Sequence, residues 1–204
     1  MIDLYAAGTS NGMRARIALE ECGLPYKLHP IDLAKGEQKT AAFLAMNPNG
    51  QIPVIVDHDG PGGQALTLSQ SSAILIYCAE KSGKYLPREG AARAAMWQAL
   101  MSASTDITPL FGALFTVLRA REPHAPTAQL FKDRLRGFFK VWDGKLAKRK
   151  CCAGDEVTVA DFSLYAGYAR IKGAAPEIVE GLPNVTRWAK AMAARPAIQR
   201  ALKF

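Results

Sequence analysis

A short polar turn between a strand and a helix is the feature that most constrains this chain. Residues 8–12 read Gly-Thr-Ser-Asn-Gly; they follow an apolar run over residues 2–7 and precede a helical pattern over residues 13–22 that stops at Gly23. The pattern predicts a strand, a tight turn and an amphipathic helix. Unpaired amides and the partial positive charge at such a helix start favour an anion. A helix cap that binds no ligand is the alternative interpretation.

The helix after the turn has one apolar face. Ala15, Ala18, Leu19 and Cys22 share this face at helical spacing. The charged residues, Arg14 among them, fall outside it.

Length and composition indicate a globular protein. With 204 residues, of which 49% are hydrophobic and 22% charged, the chain is long enough to bury a core and exceeds one typical domain. We find no segment near the roughly 20 apolar residues of a membrane span and no targeting segment, which predicts a cytoplasmic protein without a membrane partner. The net charge of +8 comes without a nucleic-acid motif, so we interpret it as a solvated basic surface and expect no nucleic-acid partner.

The four cysteines and three histidines show no spacing typical of a disulfide framework or a metal site, and we expect no metal. Cys22 and Cys78 lie on apolar helical stripes, where small core residues are expected. Cys151 and Cys152 are adjacent in a polar segment and are expected to be exposed thiols. Redox sensitivity of this pair is the alternative.

The order of predicted elements divides the chain in two. Residues 1–83 read as strand, helix and strand, followed by a strand hairpin and a helix, and the predicted strands span residues 2–7, 24–33, 51–57 and 65–68. After a linker with proline and glycine, residues 91–204 are predicted to be all-helical and to begin with one long helix over residues 91–120, bent at Pro109. Thr158 and Asp161 form a variant capping box for a later helix.

Three elements of the first part carry groups suited to one extended, charged ligand. Residues 9–11 add side-chain donors to the first helix start. Pro53 opens a strand, where a cis peptide bond would let Ile52 offer its backbone to a peptide ligand. Gln70 and Ser71 open a second helix, whose amides and hydroxyl suit a carboxylate.

Taken together, these motifs resemble those of cytosolic glutathione S-transferases. The likeness implies a thioredoxin-like glutathione-binding domain over residues 1–83 and an all-helical C-terminal domain over residues 91–204. It rests on four stretches, namely Thr-Ser-Asn-Gly, Lys35-Gly36-Glu37-Gln38, Asn47-Pro48-Asn49-Gly50-Gln51-Ile52-Pro53 and Val159-Ala160-Asp161-Phe162. Within the family the chain is most similar to the bacterial nu class, which has Thr-Pro-Asn-Gly at the catalytic turn.

The resemblance implies that Thr9 and Asn11 face the sulfur of glutathione. Ser10 replaces the usual proline of the nu class and is a competing thiol partner. No cysteine lies in the turn, so a mechanism through an enzyme-linked mixed disulfide is not expected.

Six further residues are implied to hold the tripeptide, through its glycine end, its cysteinyl segment and its γ-glutamyl end: Gln38, Gln51, Ile52, Pro53, Gln70 and Ser71. Of these, Gln51 stands where lysine is common, and Gln70 stands where nu-class relatives have glutamate. Both departures weaken the match at the two charged ends of the ligand.

The implied function is that of an enzyme that uses glutathione as co-substrate. It would stabilise the glutathione thiolate for conjugation to small electrophiles or for reduction of disulfides or peroxides, and the nu class favours the reductase side. A thiol with a pKa of about 8.5 is only about 3% ionised at pH 7, whereas a pKa two units lower gives about 75% thiolate. The family also implies a homodimer. A non-catalytic binding or regulatory protein on the same scaffold is the alternative.

Overall fold

The computed structural model describes all 204 residues and separates them into two compact units. The first unit comprises Met1–Leu86 and Ala194–Phe204, and the second comprises Pro87–Ala193. A mixed sheet with helices occupies the first unit, and the second is helical. The predicted class, an α/β part followed by an all-helical part, is confirmed.

The first unit is built on a four-stranded sheet. Its strands are β1 (Ile2–Ala6), β2 (Tyr26–Pro30), β3 (Val54–Asp57) and β4 (Leu66–Ser69), in the spatial order β2-β1-β3-β4. β1 pairs with β2 in parallel, and β3 pairs antiparallel with both β1 and β4. Each of the two central strands has a completely buried apolar side chain, Leu4 in β1 and Ile55 in β3. The predicted parallel unit and the hairpin are therefore both present.

Three helices follow the strands of this sheet: α1 (Ser10–Cys22), α2 (Ala41–Met46) and α3 (Ser71–Ser82). α1 ends as predicted at Gly23, whose φ of 70° lies in the left-handed region that favours glycine. α1 packs against α3, and buried residues of both helices, including Cys22 and Cys78, contribute to the core. The prediction that these two cysteines are core residues is confirmed.

The second unit contains α4 (Gly90–Met101), α5 (Thr108–Leu118), α6 (Ala125–Leu146), α7 (Val159–Ala174) and α8 (Pro183–Ala193). A last helix, α9 (Pro196–Ala201), belongs to the first unit and packs against α1.

The long helix predicted over residues 91–120 is interrupted. A π-helical segment, Ser102–Ile107, separates α4 from α5. Pro109 has no N–H and would clash with the preceding turn of a regular helix, so the chain widens ahead of it. Thr108 stabilises the wider turn by donating its hydroxyl to the carbonyl oxygen of Ala103, five residues earlier, over 2.7 Å. The predicted bend is therefore a widened turn that begins before the proline.

The prediction that Cys151 and Cys152 are exposed is wrong, because both are buried. Asp161 explains this: it forms the predicted capping box with Thr158 and also accepts the backbone N–H of Cys152 over 2.8 Å. The same carboxylate accepts the indole N–H of Trp188 over 2.9 Å. This network holds the cysteine segment against the core of the second unit.

By length and composition, the helical stretch Gly90–Leu118 is apolar enough to cross a membrane. Core helices of soluble proteins pass the same criterion, so this is weak evidence for a span. Only 28% of its most apolar window is buried within the chain.

Candidate functional site

The sheet brings the three predicted ligand-binding elements to one end of the first unit. In the strand register, Tyr5 of β1 is paired with Val54 of β3, and Val54 is paired with Ser69 of β4. The end of β1 therefore leads into residues 8–12 beside Pro53, which precedes β3. The end of β4 leads into the start of α3 at the same end of the strands, hereafter the sheet edge.

Thr9 caps α1 and keeps a hydrogen to donate. Its backbone is extended, and its Oγ1 accepts the N–H of Gly12 over 3.1 Å. A hydroxyl that accepts in this way still carries its own O–H donor. The amides of Ser10 and Asn11 lie in the first turn, where helix geometry gives them no intrahelical partner, and no acidic residue occupies that turn. The start of α1 thus offers donors and partial positive charge to an anion.

Gly12 fits this turn because its neighbour leaves no room for a side chain. A Cβ at this position would lie 2.0 Å from the carbonyl oxygen of Ala7. The Thr9 amide donates to the same oxygen over 2.7 Å. The glycine therefore allows the end of β1 to fold tightly against α1, which fixes the position of Thr9.

Asn11 and Ser71 are joined by a buried arginine. Nη1 of Arg14 donates to Oδ1 of Asn11 over 2.7 Å and to Oγ of Ser71 over 2.8 Å. The Asn11 oxygen is thereby engaged, which leaves the amide hydrogens on its Nδ2 as donors. The two helix starts, which lie 60 residues apart in sequence, are thus connected through one guanidinium.

Arg14 is the site residue that the sequence pattern missed. It was placed outside the apolar face of α1, yet it is only 1% exposed. Burial lowers the pKa of Arg14 to about 10, so the guanidinium remains protonated at neutral pH. The available signal was its spacing: residues three apart on a helix lie on the same side, which places Arg14 beside Asn11.

The peptide bond between Ile52 and Pro53 is cis, as the sequence suggested. Ile52 is half-buried, and Pro53 is buried. The preceding turn is held by Asn47, whose Nδ2 donates to the carbonyl oxygen of Gln51 over 2.7 Å. This clamp holds the loop that leads to Ile52, at the sheet edge beside the turn.

Gln38 and Gln51 lie in neighbouring loops. Lys39, next to Gln38 in the 3₁₀ turn Glu37–Lys39, donates to the carbonyl oxygen of Asn49 over 3.3 Å. The side-chain oxygen of Gln38 is buried without a hydrogen-bond partner, and Gln51 is exposed. The structure thus places these two glutamines near each other, and no hydrogen bond connects them to the Asn11–Arg14–Ser71 group.

Gln70 has an unusual backbone conformation. Its φ of 73° and ψ of 109° are rare for any residue other than glycine, and it is the N-cap of α3. Ser71, the first residue of α3, is 8% exposed. Gln70 is exposed and lies between β4 and α3, at the edge that also holds residues 9–11.

No protein thiol is available to act as nucleophile at this edge. All four cysteines are buried and outside any disulfide bond, and burial raises the pKa of Cys22, Cys78 and Cys152. No group of three or more His, Cys, Asp or Glu side chains is arranged to hold a metal ion. The chemistry that this arrangement supports is stabilisation of an anion brought by a ligand.

Two family models match the chain, the N-terminal domain of glutathione S-transferase over residues 10–81 and its C-terminal domain over residues 106–203. Disulfide-bond oxidoreductase YfcG of Escherichia coli (strain K12) is 33% identical over 204 residues, which cover 99% of this chain and 94% of that relative.

Two solved structures are similar to the whole chain. A glutathione transferase family member from Pseudomonas fluorescens, with two glutathione bound, has a TM-score of 0.94 and 35% identity, covering 99% of this chain and 92% of that one. A glutathione transferase from Pseudomonas putida, with one glutathione disulfide bound per subunit, has a TM-score of 0.94 and 32% identity, covering 100% and 91%.

Both family models and all three relatives agree with the family predicted from the sequence, and with a thioredoxin-like first part. The similarity extends over nearly the full length of each relative. The chain therefore belongs to the glutathione S-transferase family of glutathione-dependent enzymes.

Proposed function

We propose that this protein binds glutathione at the sheet edge of its first unit and stabilises its thiolate there. The observation that carries the proposal is the start of α1. Thr9 accepts the Gly12 amide and so retains its O–H hydrogen, and Asn11 has its oxygen engaged and its amide hydrogens left to donate. Two such donors together with helix amides are what a sulfur anion needs. Neither residue has to remove a proton as a base.

The remaining contacts of the tripeptide are assigned from the resemblance to the family. Ile52, the residue before Pro53, pairs its backbone with the cysteinyl segment, in the manner of an added strand. Gln70 and Ser71 hold the γ-glutamyl end at the α3 start, where helix amides favour its carboxylate. Gln38 and Gln51 hold the glycine end.

We further propose that the protein is a nu-class member whose main activity is disulfide reduction. YfcG is a disulfide-bond oxidoreductase, and the Pseudomonas fluorescens protein holds two glutathione molecules. The first thiolate attacks one sulfur of a disulfide, whose S–S bond breaks, and the departing sulfur takes up a proton. A second glutathione thiolate attacks the mixed disulfide, which releases the second thiol and glutathione disulfide. Each glutathione gives up one electron and one proton, and the substrate gains two of each.

The same thiolate can also add to a small electrophile or reduce a peroxide. Kinetics with a low-molecular-weight disulfide, a hydroperoxide and a model electrophile, each at saturating glutathione, separate the three activities. We expect the disulfide to give the highest kcat/KM. A protein that binds glutathione but turns over none of the three would instead be the non-catalytic binding protein.

Substitution identifies the thiol partner. We expect Thr9→Ala and Asn11→Ala each to lower kcat/KM, with Thr9→Ser as the matched control that keeps the hydroxyl. Ser10→Ala should have little effect, because Ser10 enters as the first helical residue while Thr9 is the cap. Loss of turnover in Ser10→Ala alone would show that the sulfur lies against Ser10 and that the assignment of Thr9 and Asn11 is wrong.

The protein is proposed to be a cytoplasmic homodimer with its domain boundary between residues 83 and 91. Four cysteines outside any disulfide bond suit a reducing compartment. The helical stretch Gly90–Leu118 is apolar but mostly unburied within one chain, and Met101 at the end of α4 is 39% exposed. A second copy covering this surface would account for both facts. Light scattering should give the dimer mass, and Met101→Glu should shift the protein toward monomer.

A further inference from the structure

Arg14 is a buried cation of the first unit that donates hydrogen bonds to two side chains of the proposed ligand site. Its Nη1 is 2.7 Å from the Asn11 oxygen and 2.8 Å from the Ser71 hydroxyl oxygen, and the Ser71 bond is fully buried. The Ser71 hydroxyl in turn donates a long hydrogen bond of 3.5 Å to the Asn11 oxygen. The three groups therefore form one compact cluster between the starts of α1 and α3.

Burial of this charge is costly, which argues that the cluster has more than a packing role. Arg14 is 1% exposed, and desolvation alone lowers its pKa to about 10 without neutralising it near pH 7. Arg16, two residues further along α1, is half-buried and bonds the Tyr26 hydroxyl over 2.8 Å, away from the Asn11 side chain. The same helix thus carries one arginine inside the site and one outside it.

A guanidinium that donates to a neutral polar group makes that group a stronger donor in turn. Asn11 accepts through its oxygen, so its Nδ2 hydrogens are polarised. Ser71 accepts through Oγ, so its own O–H is polarised, and a ligand carboxylate would replace the long 3.5 Å bond that this O–H makes to Asn11. In a low-dielectric setting, such charge-assisted chains are stronger than neutral ones. The cation also adds a long-range attraction for any anion at either helix start.

We propose that Arg14 is a positioning residue that prepares the thiolate position and the γ-glutamyl carboxylate position of the glutathione site together. Through Asn11 it orients and strengthens the donor to the thiolate, and through Ser71 it strengthens the donor to the γ-glutamyl carboxylate. This inference rests on the proposed binding of glutathione at the α1 and α3 starts. It adds a residue to that site and an electrostatic connection between the thiolate position and the γ-glutamyl position.

The test compares variants on one helix. Arg14→Met removes the charge in a side chain of similar length, Arg14→Lys restores a charge, and Arg16→Met is the matched control. Titration calorimetry gives the glutathione Kd, and ultraviolet difference absorbance against pH gives the thiol pKa of bound glutathione. For Arg14→Met we expect the Kd to rise about tenfold or more and the thiol pKa to rise by about one unit. Arg14→Lys should return the Kd and the thiol pKa most of the way to their wild-type values, and Arg16→Met should leave both unchanged.

Double-mutant cycles distinguish positioning from a general structural role. If Arg14 acts through Asn11, then Arg14→Met should raise the thiol pKa much less in an Asn11→Ala background than in the wild type. If it acts through Ser71, its effect on Kd should likewise shrink in a Ser71→Ala background. Additive effects in both cycles would overturn the proposal. Thermal melts accompany every variant, and if Arg14→Met does not fold, Arg14→Gln takes its place in the same cycles.

Failure of this inference can be told apart from failure of the proposed function. A wild-type protein that neither binds nor ionises glutathione would refute both. A wild type that does so, together with a folded Arg14→Met or Arg14→Gln variant of unchanged Kd and thiol pKa, would refute only the role of Arg14.

Discussion

Replacing Thr9 by aspartate should stabilise the protein while impairing its chemistry. In the structure the Thr9 hydroxyl does two separable things: its oxygen caps α1 by accepting the Gly12 N–H, and its hydrogen is free for a ligand. A carboxylate keeps the first role, because aspartate is as good an N-cap as threonine or better. It loses the second, because a carboxylate has no hydrogen to donate at neutral pH.

Thr9→Asp should affect the free energy of unfolding and the bound thiolate in opposite directions and by different amounts. A negative charge at the N-terminus of α1, whose first turn contains no acid, should add about 0.3–1 kcal/mol to the free energy of unfolding. A thiolate about 4 Å from that carboxylate would be repelled by about 4 kcal/mol at an effective dielectric of about 20, which is about three pKa units. A bound thiol that is about 75% ionised at pH 7 would then fall well below 1%.

Two measurements on the same samples check this. Urea denaturation without ligand gives the free energy of unfolding, and ultraviolet difference absorbance of saturated complexes against pH gives the thiol pKa. Thr9→Ser is the control that keeps both roles, and Thr9→Val should lose both, with about 1 kcal/mol of cap stabilisation missing. A Thr9→Asp complex with an unchanged thiol pKa would refute the placement of the sulfur against Thr9.

Four further outcomes are expected. Gly12→Ala should destabilise by about 3 kcal/mol or more in urea denaturation, because its Cβ would meet the Ala7 oxygen, whereas Gly137→Ala in the exposed, open part of α6 should stabilise by about 0.5–1 kcal/mol. Gln70→Gly should relieve the φ of 73° and raise stability by about 1 kcal/mol while weakening glutathione binding measured by calorimetry. Asp161→Asn should lower the Tm and cost about 2–4 kcal/mol, because a buried acceptor of the Cys152 and Trp188 N–H groups loses its charge; an unchanged Tm would contradict this. Hydrogen bonds from His58 and His29 lower the pKa of Asp3 in the folded protein. The Asp3 carboxylate therefore stabilises the fold above its unfolded pKa of about 4, and this contribution is lost as the pH falls through the lower folded value. Asp3→Asn should reduce the loss of unfolding free energy below about pH 4, and the control Asp59→Asn should not.

Local signals in the sequence were sufficient for most of the first unit. The stop at Gly23 and the cis bond before Pro53 follow from the chemistry of glycine and proline and were predicted correctly. The extent of β2 was not predicted correctly, because its alternating pattern continues past the end of β1, the strand with which it pairs. β1 ends at Ala6, which is paired with Pro30. The N–H of Ile31 donates the last hydrogen bond between the two strands, to the carbonyl oxygen of Ala6. A strand ends where its partner ends, which a single segment does not reveal.

Two of the misjudged residues share one physical cause. Arg14 and Cys152 are polar or reactive by type, and each is buried with a hydrogen-bond partner outside its own turn or loop. Ser71 lies 57 residues from Arg14, and Asp161 lies nine residues from Cys152. Periodicity along one helix or loop cannot report such partners. Residue type predicts exposure well only where no tertiary hydrogen bond compensates for burial.

Helix starts alone do not identify the site, since α4 and α6 also lack an acid in their first turns. The start of α7 shows the opposite case, because the carboxylate of Asp161 already occupies it. What distinguishes α1 and α3 is that both starts meet at one sheet edge and share a buried cation. Two unneutralised helix ends beside a guanidinium concentrate positive potential that nothing in the first turns offsets. A ligand with two anionic groups, such as a thiolate and a carboxylate, is the species that such a potential favours most.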